Sequence, residues 1–140
     1  MSGHLELALV RSSGQTLVHQ AREVTVPAAG GRAQILPGHL PYVALLASGA
    51  LTFTDLDGKV HGAWLRDGVL EHQDNRVVVI SDTLVFPADQ NLSEVEAELQ
   101  KVRAELQKAC RESLPEGGLD ALLLRERELA EQIALIRTHG

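Results

Sequence analysis

A change of hydrophobic period at Pro87 constrains this chain more than any other feature. Before it, short apolar stretches are separated by turn signals at intervals of about 8 to 12 residues, the pattern of a β-sandwich or barrel. Leu5-Glu6-Leu7-Ala8-Leu9 alternates, Ser12-Ser13-Gly14 turns, and Thr16-Leu17-Val18 and Val24-Thr25-Val26 follow as two further short strands. Residues 28–31 form another turn before Gln34-Ile35-Leu36. Ser48-Gly49, Asp57-Gly58, Asp67-Gly68 and Asp74-Asn75 then punctuate the stretches 42–46, 51–54, 60–65, 69–71 and 77–80, and 84–86 closes the series. Asp57-Gly58 between β-rich flanks is a hairpin signal, because both residues tolerate the positive φ that a tight turn requires.

After Pro87 glycine vanishes until positions 117 and 118. Ser93 with Glu96 has the S-x-x-E spacing of a capping box, which predicts a helix starting there. Val95, Leu99, Val102, Leu106 and Ala109 recur at spacings of four and three and draw one narrow apolar seam. Cys110 falls beside that seam as a small packing residue. The stretch 113–118, Ser-Leu-Pro-Glu-Gly-Gly, breaks the helix. A second helix is expected from about Leu119, with Asp120 in its first turn and Arg137 in its last, both favoured by the helix dipole. Its seam is Leu122, Leu129, Ile133 and Ile136, with Glu126 interrupting it and Leu119, Leu123 and Ala130 alongside. Two narrow seams joined by a short loop predict an antiparallel helical hairpin. The expected architecture is therefore α+β: an N-terminal antiparallel β-sandwich or barrel over residues 1–87, then a C-terminal antiparallel two-helix hairpin over residues 88–140.

The charge differs between these parts. Residues 1–87 carry six Lys/Arg against eight Asp/Glu, net −2, and residues 88–140 carry seven against eleven, net −4. A charged hairpin with thin seams buries little apolar area, which fits either a moving part that opens at low cost or a permanently docked surface hairpin, and the sequence alone does not choose between them.

Within the first part, Leu36-Pro37-Gly38-His39-Leu40-Pro41 stands out. Two prolines within five residues lack N–H groups and have fixed φ, so the segment lies in neither a helix interior nor a central strand. It is expected to be a rigid, exposed corner, a common place for function on a scaffold.

Composition narrows the function by exclusion. Net charge is −6 and aromatic residues make up 3% of the chain, so neither a phosphate-tracking basic stripe nor a base-stacking platform is expected, and nucleic acid is not an expected partner. No apolar run approaches the roughly 20 residues that span a bilayer, and the start MSGHLELALV lacks the basic and apolar regions of a signal peptide. A cytoplasmic protein able to dock on a membrane complex is expected. One cysteine leaves no internal disulfide. The six histidines, at 4, 19, 39, 61, 72 and 139, show no His-x-His or His-x-x-x-His spacing, so no metal site is expected. Nucleophile-elbow and phosphate-loop patterns are missing from the sequence, which leaves no cofactor and no catalytic residue to nominate. Binding remains. Trp64 alternates with apolar neighbours and reads as core, while Glu98 with Lys101 and Glu105 with Lys108 read as three-residue helix pairs.

These pieces together resemble the epsilon subunit of bacterial rotary ATP synthases. The resemblance rests on the stretch 31–41, Gly-Arg-Ala-Gln-Ile-Leu-Pro-Gly-His-Leu-Pro, against a family pattern like Gly-Glu-Leu-Gly-Ile-Leu-Pro-Gly-His-Ala-Pro. It rests also on Asp67-Gly68-Val69-Leu70-Glu71-His72, then Asn75-Arg76-Val77-Val78-Val79-Ile80-Ser81-Asp82, and on the charged hairpin, all in the family's order.

The resemblance implies a non-catalytic rotor subunit at the foot of the central stalk, peripheral to the cytoplasmic face of the bacterial plasma membrane. Its expected partners are the gamma subunit, the c ring and the beta subunits of the catalytic hexamer. Arg32, Pro37, Gly38, His39, Pro41 and Tyr42 are the implied gamma and c-ring contacts. Lys101, Lys108, Arg111, Arg125 and Arg127 are the implied basic contacts through which the hairpin, extended along gamma, opposes ATP hydrolysis. Two departures matter. Arg32 stands where the family usually has Glu. At the positions of an Ile/Leu-Asp-x-x-Arg-Ala nucleotide motif found in some members, this chain has Leu92-Ser93-Glu94-Val95-Glu96-Ala97, which removes the cation. A free-standing sandwich adaptor that binds another partner through its hairpin is the alternative expectation.

Overall fold

The computed structural model describes residues 3–109 and 118–139; Cys110, Arg111 and the expected loop at 113–117 lie outside them. The chain divides into two compact units, Met1–Phe86 and Pro87–Thr138, apart from single terminal residues.

The first unit is built of β1 (Leu5–Arg11), β2 (Thr16–Ala28), β3 (Gly31–Ile35), β4 (Tyr42–Leu46), β5 (Gly49–Asp55), β6 (Val60–Arg66), β7 (Gly68–Gln73), β8 (Arg76–Ser81) and β9 (Thr83–Val85). Neighbouring strands run in the order β1-β8-β7-β4-β2-β5-β6-β9, with β3 on β2 and a further pairing of β1 with β2. Every pairing is antiparallel except β1 with β8, which is parallel in the register Leu7↔Val77 and Leu9↔Val79.

β2 is the spine. The sequence reads as two short strands here, but one strand of 13 residues runs through both. A register shift falls between Ala21↔Asp55 and Glu23↔Thr54, which leaves Arg22 as the extra residue of a β-bulge. Up to the bulge odd positions such as Ala21 face inward; beyond it Val24 and Val26 do, all three fully buried. A bulge moves the alternation by one residue, so a strict period-2 pattern breaks in the middle of a continuous strand. The N-terminal half of β2 pairs with β1, which continues through β8 and β7 to β4; the C-terminal half pairs with β3 and β5, continuing to β6 and β9, and β4 returns to the end of β2 at Ala28↔Leu46.

Between the layers Leu5, Leu7, Leu9, Leu70, Val77 and Val79 meet Val24, Val26, Ile35, Leu51, Phe53 and Leu65 in a single core. Trp64 is fully buried but is not part of this core: its β6 neighbours Ala63 and Leu65 are, and strand alternation puts Trp64 on the other side of β6.

The second unit opens with a 3-10 turn at Pro87–Asp89, then α1 (Leu92–Ala109) and α2 (Gly118–His139). Its cap differs from the expected box. Asn91 Oδ1 accepts from the amides of Ser93 at 2.9 Å and Glu94 at 3.4 Å, and Asn91 O accepts from Val95 N at 3.1 Å. Asparagine satisfies the second and third amides, so Ser93 lies inside the helix, and Glu96 turns instead to Arg137 at 2.7 Å. The seams meet as expected: Val95, Leu99 and Val102 pack with Leu129 and Ile133, flanked by Leu92, Leu106, Leu122 and Ile136. Glu126, which interrupts the seam, faces Arg103 at 3.6 Å.

Candidate docking surface

The corner is a type II turn. His39 N donates to Leu36 O at 3.2 Å, with Pro37 as the second residue and Gly38 as the third at φ +84°, a conformation open to glycine and strained for other residues. The imidazole of His39 closes the turn again, its Nδ1 accepting from Leu36 N at 3.3 Å.

Two further bonds fasten the corner to the β7–β8 hairpin. Gly38 N donates to Asn75 Oδ1 at 2.7 Å, and Asn75 sits with Asp74 in a two-residue turn, both at positive φ. His72 Nδ1 lies 3.3 Å from Leu40 O. A carbonyl only accepts, so Nδ1 donates, and the buried Nε2 has no hydrogen-bond partner among the described residues. The rings of His39 and His72 approach edge to face, 6.5 Å between centroids. Leu40, 82% exposed, projects at the tip. Ala33, Ile35, His39, Leu40, Pro41 and Tyr42 line a mostly apolar hollow of about 370 Å³.

The structure therefore brings Pro37, Gly38, His39, Pro41 and Tyr42 together. Arg32 is separate: it is exposed at the other end of β3, opposite Pro27 beside the 28–31 turn.

Sequence reasoning missed the face that continues from the corner. Val43 and Leu45 on β4 are 70% and 68% exposed, and Val69 and Ile80, in register with Leu45 across β7 and β8, are also exposed. The stretch 42–46 reads as one apolar run, and an apolar run by itself does not tell an inward side from an outward one. Contiguous exposed apolar side chains of this kind mark an interaction surface.

In the hairpin, Lys101 and Lys108 are exposed two turns apart on α1. Arg125 Nε donates to Glu98 Oε1 at 3.1 Å and its guanidinium also faces Glu128, while Arg127 Nε is 3.3 Å from Glu131. Glu98 thus takes an arginine from the facing helix where the spacing had suggested Lys101, because a guanidinium offers a carboxylate two donors at once. Arg111 lies outside the described residues.

Elsewhere in the sandwich His61 Nε2 lies 2.8 Å from Asp55 Oδ2, and this bond, with backbone amides of Lys59 and Asp57, lowers the Asp55 carboxyl below its ordinary range. His19 is lowered too, by burial first and by the nearby His61 second.

Residues 4–87 match the family model of the ATP synthase delta/epsilon chain β-sandwich domain. The ATP synthase epsilon chain of Desulfitobacterium hafniense is 32% identical over 83 residues, 59% of this chain and 62% of that one. That of Bordetella petrii is 31% identical over 85 residues, 61% of this chain and 60% of that one. The matched segment thus spans about three fifths of these relatives' length. Among solved structures, a chain of the Euglena gracilis mitochondrial ATP synthase (OSCP/F1/c-ring) superposes with a TM-score of 0.72 at 19% identity, covering 99% of this chain and 82% of that chain. A chain of the Tetrahymena thermophila mitochondrial ATP synthase central stalk and c-ring gives 0.50 at 12% identity, over 96% and 94%. At such identities these likenesses speak for the fold. The sandwich model, however, matches well over half the chain, corner and β7–β8 hairpin included, and by that match the chain belongs to the ATP synthase delta/epsilon family.

Proposed function

We propose that this chain is a non-catalytic rotor subunit of an F-type ATP synthase, seated in the central stalk and peripheral to the cytoplasmic face of a bacterial plasma membrane. Residues 1–87 dock on the gamma subunit and the c ring, and residues 88–140 form a regulatory hairpin. The observation that carries the reading is the rigid corner continuous with an uncovered apolar face, in a sandwich of the delta/epsilon family. A turn held by proline, glycine and two cross-links loses little entropy on binding, which suits a contact that transmits torque. The β4–β7–β8 face meets gamma, the corner with Pro37, Gly38, His39, Pro41 and Tyr42 meets gamma or the c ring, and Arg32 makes a separate contact. Among the described residues no helix is long and apolar enough to cross a membrane.

The hairpin acts as a brake on ATP hydrolysis by reaching the beta subunits through Lys101, Lys108, Arg111, Arg125 and Arg127. Arg125 and Arg127 must exchange their carboxylates Glu98 and Glu131 for new ones, so they contribute less than the exposed lysines. The test is to rebuild the complex with the full-length chain and with one ending at residue 87. Hydrolysis should rise on truncation while synthesis stays nearly intact. Equal hydrolysis with equal coupling would remove the brake from this reading.

A further inference from the structure

The outward side of β4, β7, β8 and β1 is graded. Cross-strand register places Leu45, Val69, Ile80 and Val10 in one row, Val43, Glu71, Val78 and Ala8 in the next, and Gln73, Arg76 and Glu6 in a third, beside the β7–β8 turn. Hydrophobic residues dominate the first row, and charge enters with Glu71. Glu6, Glu71, Gln73, Asp74, Arg76 and Val78 line an open hollow of about 560 Å³, with three carboxylates against one guanidinium. Among the described residues the Glu71 side chain has neither an ion pair nor a hydrogen bond.

Glu71 sits directly between Val43 and Val78. Any partner that covers Val43 and Leu45 therefore takes Glu71 out of water as well. A carboxylate desolvated without a counter-charge opposes binding strongly, whereas one met by a cation orients the docked surface. We propose that the surface seated on this face is apolar and carries a Lys or Arg that enters the Glu6–Glu71–Asp74 hollow, with Glu71 as the residue that sets partner specificity. The inference rests on the reading that this face meets gamma, and it adds the chemistry of the contact: an apolar ridge with a basic side chain towards the corner end.

The experiment measures association of the full-length chain with the gamma subunit of the same complex over a range of sodium chloride concentrations. The wild type is compared with Glu71→Gln and with the double variant Val43→Ser/Leu45→Ser. All three positions are exposed, and unfolding midpoints check that the variants keep their fold. Glu71→Gln should weaken association by about tenfold or more, and salt should weaken the wild type more than the variant. If the serine variant loses association while Glu71→Gln binds as well as or better than wild type, the face docks and the basic contact is refuted. If the serine variant binds like wild type, the docking reading falls and this inference falls with it.

Discussion

Phe53 meets two imidazoles, His19 tilted against it at 4.9 Å and His61 stacked on it at 5.0 Å between ring centroids, and Asp55 anchors His61. His19 is lowered in the folded state, so the unfolded chain binds its proton more readily. The stability it contributes is full above its ordinary value of about 6.5 and is lost as pH falls below that value through the folded one. Asp55 has the same sign, lower on the scale: its contribution is lost only as pH falls below the ordinary carboxylate range. Denaturant midpoints at pH 7.5 and 5.5 should therefore differ more for the wild type than for His19→Gln, and equal differences would remove His19 as the cause. Glu96 supports a second expectation. Its bond to Arg137, with Arg103 facing Glu126, leaves the inter-helix groove around Ser93, Ala97 and Ala134 without an unengaged lining cation for a phosphate among the described residues. Calorimetric titration with millimolar ATP should show no specific heat, and micromolar affinity would overturn the expectation.

The elements owe their ends to single side chains. Because Asn91 caps α1, Asn91→Ala should cost about 1 kcal/mol of hairpin stability, while Ser93→Ala should cost little. Helicity followed through thermal unfolding of both variants separates this cap from the S-x-x-E box; the reverse order would restore the box. At the start of β7, a Cβ on Gly68 would lie 2.6 Å from Ile80 O and 3.3 Å from Ser81 Cβ. Ser81 itself is locked there, its Oγ within hydrogen-bond distance of Arg66 O, Asp67 O and Thr83 O. Gly68→Ala should thus destabilise the sandwich by about 1–3 kcal/mol. Gly30→Ala, with nothing within 4 Å, is the control and should leave the denaturation midpoint unchanged.

Each unit has its own apolar cluster: the sandwich core draws on residues from Leu5 to Phe86, the hairpin core on residues from Leu92 to Ile136. All strand pairings lie within the first unit. A chain of residues 1–87 should therefore fold alone, with a cooperative unfolding transition and a β-type circular dichroism spectrum. A non-cooperative melt would mean that the sandwich depends on the hairpin, and the rise in hydrolysis expected of the truncated complex would then lose its meaning.

Periodicity and turn chemistry determined much of this protein in advance. The break at Pro87, the two seams from Val95 and Leu122, the Asp57-Gly58 hairpin and the Pro37-Gly38 corner follow from local preferences that act over a few residues, so they are legible in order along the chain. Tertiary structure decided the rest, because it concerns residues distant in sequence. The bulge at Arg22 merged two apparent strands into one, and Asn91 displaced Ser93 as cap. β1 found β8 in parallel, a pairing that no local pattern announces. The docking face shows the limit most clearly. Val43, Leu45, Val69 and Ile80 are as apolar as the core residues beside them, and only the packing of two layers decides which side of a strand is buried and which is left for a partner.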